Sequence, residues 1–170
     1  MVKRLLAAVC LLAATSLVSA QDFSGFYHIY PKANAKFIID VNEKSKADGA
    51  KIILWNYNGQ TNQEFVVVPN GNGYYLIISR HSGKSLDVFQ GKADNGTPIV
   101  QWKAHGADNQ LWKLIPAADG YFYMQNKVSG KVLDAMEFNN PAKQVPGTAI
   151  VEWELNNGEN QQWKFEAVTK

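Results

Sequence analysis

Three short stretches decide the fold: Ile38-Ile39-Asp40-Val41, Ser85-Leu86-Asp87-Val88 and Val132-Leu133-Asp134-Ala135. Each sets an aspartate in an apolar run, and the aspartates stand 47 residues apart both times. Outward from them, Tyr27, Tyr74 and Tyr121 come thirteen residues earlier, and Trp55, Trp102 and Trp153 follow at distances of 15, 15 and 19. Asn62, Asn109 and Asn160 lie seven residues beyond each tryptophan. Gln63, Gln110 and Gln161 follow at once, and Phe65, Trp112 and Trp163 stand two further on. Five residue types recurring in the same order make the chain one unit written three times, over about 23–69, 70–117 and 118–170. The third unit is four residues longer, all of them between Asp134 and Trp153, where Asn139-Asn140-Pro141 and Pro146-Gly147 mark an extended loop.

Within each unit apolar runs of four to six residues alternate with turn chemistry, and no period near 3.6 is sustained. The pattern is all-β. In the second unit it predicts strands near Tyr74–Ser79, Lys84–Val88, Pro98–Lys103 and Gln110–Ile115, with turns at Ser82-Gly83 and Asn95-Gly96. The first unit departs at its first hairpin, where Lys36 stands in place of that glycine. Four strands taken three times give twelve. A unit of about fifty residues cannot bury a face alone, so the three must share one closed core.

Lys3 and Arg4 precede an uncharged, mostly apolar stretch from Leu5 to Ala20 that closes on Val18-Ser19-Ala20. This reads as a secretory signal peptide, residues 1–20, cut before Gln21, and predicts a secreted domain over 21–170. A membrane span is the rival reading, but it needs roughly 20 consecutive apolar residues. Removing 1–20 takes away the single cysteine, Cys10, and two of the 17 basic residues, leaving 15 against 15 acidic ones. A balanced, interspersed charge predicts neither nucleic-acid binding nor membrane insertion. Stability must rest on a core rather than on disulfides.

The repeated residues divide by chemistry. Phe65, Trp112 and Trp163 stand in alternating apolar strands and are assigned to the core, with Gln63, Gln110 and Gln161 satisfying backbone groups around them. Asp40, Asp87 and Asp134 differ, because a carboxylate among apolar residues is costly unless something donates to it. A sugar can, since a carboxylate accepts from two adjacent hydroxyls, an asparagine amide both donates and accepts, and a tryptophan face packs on a pyranose ring. The competing reading makes Asp a turn cap, Trp a barrel filler and Asn a turn residue.

Triplicated Asp-Val, apolar-x-Trp and Q-x-W elements at this period resemble the ricin B-type lectin family, across residues 23 to about 167. The resemblance implies a β-trefoil, a six-stranded barrel capped by three hairpins. It also implies sugar contacts at Asp40, Trp55 and Asn62, at Asp87, Trp102 and Asn109, and at Asp134, Trp153 and Asn160. Galactose or N-acetylgalactosamine is the implied ligand, with xylan-type polysaccharides next. Some family sites carry a glutamine two residues before the aromatic, where this chain has Ile53, Val100 and Val151. The second repeat keeps the fullest pattern and ranks first; the inserted loop beside Asp134 puts the third in most doubt.

Catalysis is not expected. Glycoside hydrolysis wants two carboxyl groups about 5 to 9.5 Å apart, whereas the repeated aspartates are spread around a threefold in a domain of radius of gyration about 15 Å. Glu152 and Glu154 flank Trp153, and alternation puts both on the opposite face, expected to be exposed. His28, His81 and His105 show no metal spacing, no cofactor motif is present, and no G-x-S-x-G occurs. His105 alone sits in a Trp-to-Asn loop, where it could meet a ligand. The alternative function is a protein-binding trefoil such as a secreted protease inhibitor, acting through the one idiosyncratic loop, Phe138–Gly147.

Overall fold

The computed structural model describes residues 23–169; the signal-peptide reading lies outside the described residues. Twelve strands occur among them, four per repeat: β1 Phe26–Pro31, β2 Phe37–Val41, β3 Ile52–Asn56 and β4 Phe65–Pro69; then β5 Tyr74–Ser79, β6 Ser85–Val88, β7 Ile99–Trp102 and β8 Trp112–Pro116; then β9 Phe122–Asn126, β10 Val132–Ala135, β11 Thr148–Trp153 and β12 Trp163–Ala167. The four strands expected in the second repeat are all present, with ends shifted by a residue or two.

Antiparallel pairing runs β1–β4–β5–β8–β9–β12 and back to β1, closing a six-stranded barrel. The hairpins β2–β3, β6–β7 and β10–β11 cap one end. They interlock through the β3–β11 pairing and through the bridges Lys51–Val100 and Pro98–Val151. Closure removes the unpaired edges an open sheet would present. The fold is a β-trefoil.

Phe65, Trp112 and Trp163 are fully buried, as assigned, and occupy equivalent places in β4, β8 and β12. The two indoles donate inward, Trp112 Nε1 to the Leu86 carbonyl at 3.4 Å and Trp163 Nε1 to the Leu133 carbonyl at 3.0 Å. They thereby tie the barrel to its hairpin caps.

The tyrosine register needs correction. Tyr27 pairs with Phe65, but Trp112 pairs with Tyr75 and Trp163 with Phe122, so the equivalent residues are Tyr27, Tyr75 and Phe122. These three gather around Phe23 at ring separations of 5.5, 5.8 and 6.3 Å. Tyr74 and Tyr121 are neighbours one place along, with Lys127 over one ring and Lys32 over the other. The slip arises because the first hairpin carries one residue more: thirteen separate Tyr27 from Asp40, but twelve separate Tyr75 from Asp87. Gly83 and Gly130 turn with φ near +70°, whereas the side-chain turn is common to all three hairpins: Asn34 Oδ1 accepts from the Lys36 amide at 3.1 Å as Ser82 and Ser129 Oγ accept from the Lys84 and Lys131 amides at 3.2 and 3.1 Å.

Candidate functional site

Each hairpin presents one pocket, assembled from the same places in each repeat. The aspartate ends the inner part of the second strand: Asp40 on β2, Asp87 on β6, Asp134 on β10, all buried. The tryptophan is the last residue of β7 and of β11 and the last but one of β3. The asparagine and glutamine sit in a short 3₁₀ turn leading into the fourth strand. In the first and third repeats this turn brings both amides onto the carboxylate, and in the second the glutamine makes the bond.

In the first pocket Asp40 Oδ2 accepts from Asn62 Nδ2 and Gln63 Nε2, both at 2.8 Å. Gln63 Nε2 also donates to the Asn56 carbonyl at 2.9 Å, and its Oε1 accepts from the Asn58 amide at 2.9 Å. The glutamine thus ties the aspartate to the loop after the tryptophan. Asp40 Oδ1 accepts from no protein donor among the described residues. In the second pocket Asp87 Oδ2 accepts from Gln110 Nε2 at 2.9 Å, while Asn109 Nδ2 turns to the Val88 carbonyl at 3.3 Å. In the third, Asp134 Oδ1 accepts from Asn160 at 2.9 Å and Oδ2 from Gln161 at 2.8 Å. The expectation that glutamine satisfies backbone holds, and the bond to aspartate is an added role. Its signal was the recurrence of Asp and Gln in every repeat, 23 residues apart in the first two and 27 in the third, where the four-residue insertion intervenes.

Burial dominates the electrostatics, since it penalises the charged carboxylate. It pushes Asp40 and Asp134 up to about 6 against the opposing pull of their glutamine and asparagine donors, and it raises Asp87 as well.

Trp55, Trp102 and Trp153 are 42%, 38% and 37% exposed, so they do not fill the barrel. Each ring rests on a glycine of the neighbouring repeat: a Cβ added at Gly49 would lie 3.6 Å from Trp102, at Gly96 3.7 Å from Trp153, and at Gly147 3.7 Å from Trp55. Each pocket is lined by one repeat, and its tryptophan is backed by a neighbouring one.

The cavities measure about 220, 250 and 370 Å³ for the first, second and third pockets. Beside the common aspartate, tryptophan and asparagine they hold residues that differ by repeat and that the sequence reading mostly missed. Two after the aspartate stand Asn42, Phe89 and Met136; three after it stand Glu43, Gln90 and Glu137; three after the tryptophan stand Asn58, His105 and Asn156. Glu43, Gln90 and Glu137 share the left-handed region, with φ of 57°, 59° and 57°. The conformation is repeated at the same place in all three loops and carries each of these side chains to its pocket. His105 enters the second pocket as foreseen. The Ala107 amide donates to its Nδ1 at 3.2 Å, so a neutral ring carries its proton on Nε2, 3.7 Å from Asp87 Oδ2.

The inserted loop reshapes the third pocket. Phe138 is fully buried against Phe37, at a ring separation of 5.2 Å, and anchors the loop in the core. Next to it, Asn139 Nδ2 donates to Asn160 Oδ1 at 2.6 Å and its Oδ1 accepts from the Asn160 amide at 3.0 Å. The equivalent Asn62 Oδ1 is buried without a partner among the described residues. Gly158 makes room for this clamp: its φ of −63° suits any residue, yet an added Cβ would overlap Asn160 Oδ1, Asn139 Nδ2 and Asn156 Oδ1. Gln60 and Ala107 hold the same place in the other repeats, where no such clamp exists. Gly158→Ala is expected to cost about 1–2 kcal/mol in urea unfolding. A neutral result would show the clamp to be dispensable.

The expectation for Glu152 is overturned. It does face away from Trp153, but that face abuts the neighbouring repeat, and the side chain is fully buried. Glu154 is exposed, as expected. Among the described residues no cluster of three metal-ligating side chains occurs, and no helix is long and apolar enough to cross a membrane.

Three pockets of common plan on a β-trefoil, each pairing a braced aspartate with a half-exposed tryptophan, define a triply repeated lectin-type module. The model of the ricin-type β-trefoil lectin domain-like family matches residues 17–102, 61–146 and 108–170, successive windows each starting about one repeat further on, and the chain belongs to that family. A comparison with curated proteins finds no match. Among solved structures the chain is similar to the designed threefold-symmetric protein ThreeFoil, at 33% identity and a TM-score of 0.80, over 85% of this chain and 100% of that one. It is similar to an exo-β-1,3-galactanase from Clostridium thermocellum at 30% identity and a TM-score of 0.79, over 85% of this chain but only 30% of that one. The C-half of an earthworm R-type lectin, solved in complex with GalNAc, shares the fold at 19% identity and a TM-score of 0.65, over 85% and 100% of the two chains.

Proposed function

We propose that this protein is a secreted lectin that binds glycans through three shallow pockets and catalyses no reaction. The observation that carries the reading is the threefold recurrence of a buried aspartate braced by a glutamine beneath a half-exposed tryptophan. A brace of this kind fixes the carboxylate before a ligand arrives, so little ordering cost falls on binding. Galactose or N-acetylgalactosamine residues are the favoured ligands and xylan-type chains come next; the 30% identity with a galactanase supports galactose-containing glycans. Glu43 and Glu137 bring a second carboxylate into the first and third pockets, but Gln90 stands in that place in the second, which fits a ligand contact better than an acid-base pair.

One shallow pocket gives an affinity around millimolar, about −4 kcal/mol. A clustered glycan that engages two pockets gains roughly 10² to 10⁴ in avidity. On a glycan array Asp87→Ala and Trp102→Ala should weaken binding while leaving the domain folded. If both variants bind as the parent does, the pocket assignment is wrong, and silence of the parent across all sugars would favour the protein-binding alternative.

Acid should weaken binding. A carboxylate accepts from two hydroxyls only when ionised, and Asp40 and Asp134 take up a proton as the pH falls through about 6. Calorimetric titration should find these two pockets about tenfold weaker at pH 5 than at pH 7. Affinity independent of pH would remove the carboxylates from the contact.

A further inference from the structure

Glu152 has exact counterparts in the other repeats, and they show what its place requires. It lies opposite Leu133 in the β10–β11 hairpin, as Gln101 lies opposite Leu86 and Leu54 opposite Ile39. All three side chains are fully buried beside the seam with a neighbouring repeat. The backbone register is the same each time: Gly96 N donates to Glu152 O at 2.9 Å, Gly49 N to Gln101 O at 2.9 Å, and Gly147 N to Leu54 O at 2.8 Å.

Gln101 is satisfied at both ends. Its Oε1 accepts from Ser82 Oγ at 2.7 Å, and its Nε2 donates to the carbonyls of Ser45 and Ala47, each at 2.9 Å. Glu152 keeps the first half of this arrangement, with Oε2 accepting from Ser129 Oγ at 2.6 Å. The second half has no partner: Oε1 is buried without a hydrogen bond among the described residues. It holds the place of a nitrogen that donates to two carbonyls, and 47 residues on from Ser45 and Ala47 those carbonyls belong to Lys92 and Asp94. The Asp94 carbonyl already accepts from Thr97 N at 3.1 Å and Thr97 Oγ1 at 2.7 Å, which leaves that of Lys92. The first repeat avoids the question with Leu54, and Ala35 stands as far before its aspartate as Ser82 and Ser129 stand before theirs. The polar pair is present together or absent together.

We propose that Glu152 is carried in the folded protein as a neutral acid whose Oε1 hydroxyl donates to the Lys92 carbonyl, a latch between the second and third repeats that opens when the proton is lost. A bare carboxylate there would set an acceptor against an acceptor in a site closed to water. The latched loop ends at Gly96, beneath the Trp153 ring, and Asn95 Oδ1 accepts from the Glu154 amide at 3.1 Å, so opening loosens the floor of the third pocket. The charges around the group are mixed. Lys131 favours ionisation but is shared with Glu154, just past the end of β11, and with Asn95 Oδ1, Asp94 opposes ionisation, and Lys92 heads the loop itself. Burial outweighs them and raises the Glu152 carboxyl above its ordinary value. The folded state therefore holds this proton more tightly than the unfolded chain, and the latch contributes fully below pH 4.5 and is lost as pH rises through the folded value.

Thermal unfolding of the protein and of Glu152→Gln between pH 4 and pH 8 tests this. The glutamine restores the two donors seen at Gln101, so its midpoint should match the parent's near pH 4 and stand about 3–6 °C higher at pH 8. A gap that does not grow with pH, or a variant no more stable at pH 8, overturns the latch. A second variant, Glu152→Leu with Ser129→Ala, copies the first repeat and should show the weaker pH dependence of the glutamine variant; retention of the parent's slope overturns it equally. Hydrogen exchange at the Gly96 amide, corrected for its intrinsic pH dependence, should accelerate with pH in the parent and not in Glu152→Gln.

Discussion

Asp40→Asn should weaken sugar binding at the first pocket about 10- to 100-fold and, at pH 7, make the domain more stable. The binding loss follows from replacing a charged acceptor, whose hydrogen bonds contribute about 1.5–3 kcal/mol, with an amide that turns a donor toward the ligand. The stability gain follows from burial. Asp40 has its carboxyl pushed up to about 6 from an ordinary 3.8, so at neutral pH the fold carries a charge it would rather neutralise. At about 1.4 kcal/mol per unit the penalty is about 3 kcal/mol, and asparagine should recover about 1–3 kcal/mol of it. Its oxygen can still accept from Asn62 and Gln63 in place of Asp40 Oδ2. The sign follows from linkage. With the folded pKa above the unfolded one, the parent loses stability relative to the variant as pH rises from about 4 to about 6, and the gap is constant above. Urea unfolding at pH 4 and pH 7 measures it. A variant less stable than the parent at pH 7 would mean that the carboxylate supports the fold rather than burdening it.

Trp112→Ala should produce the largest loss of stability among single changes in the core. The ring is fully buried where β8 joins the barrel to the β6–β7 hairpin, and its indole N–H holds the Leu86 carbonyl. Large-to-small changes of this kind cost about 3–5 kcal/mol, a large share of the total stability of about 5–15 kcal/mol. The unfolding midpoint should drop by about 10 °C or more. Trp112→Phe offers a graded control already written in the molecule, since Phe65 fills the equivalent place in the first repeat without an N–H. It should lose mainly the bond to Leu86, about 1–2 kcal/mol. Equal losses for alanine and phenylalanine would show that the hydrogen bond, and not the packed ring, holds this corner.

The trefoil is legible in the sequence because its symmetry is written in residues that cannot drift independently. Asp40 needs Gln63, and Gln63 holds the loop after Trp55, so the three residue types are kept together in every repeat and the spacing from tryptophan to glutamine is the same each time, while the insertion falls between aspartate and tryptophan. The barrel tyrosines are not fixed in this way. One added residue in the first hairpin slides Tyr74 and Tyr121 into apparent register with Tyr27, and only the pairing of Tyr75 with Trp112 exposes the slip. Glu152 was misplaced for a different reason. Alternation along β11 says which face a side chain takes, but not whether that face meets water or the next repeat. The pocket residues Glu43, Gln90 and Glu137 were hidden because their common property is a backbone angle, not a residue type. The clamp between Asn139 and Asn160 lies in the insertion, where no second copy exists for comparison.

The central claim is that three braced aspartates bind sugar. Its most direct test is a panel of galactose-, N-acetylgalactosamine- and xylan-type glycans applied to the protein and to a variant carrying Asp40→Asn, Asp87→Asn and Asp134→Asn together. The parent should bind at least one class, and the triple variant, folded and no less stable at pH 7, should bind none. A triple variant that binds the panel as the parent does, or a parent that binds nothing on it, would contradict the account.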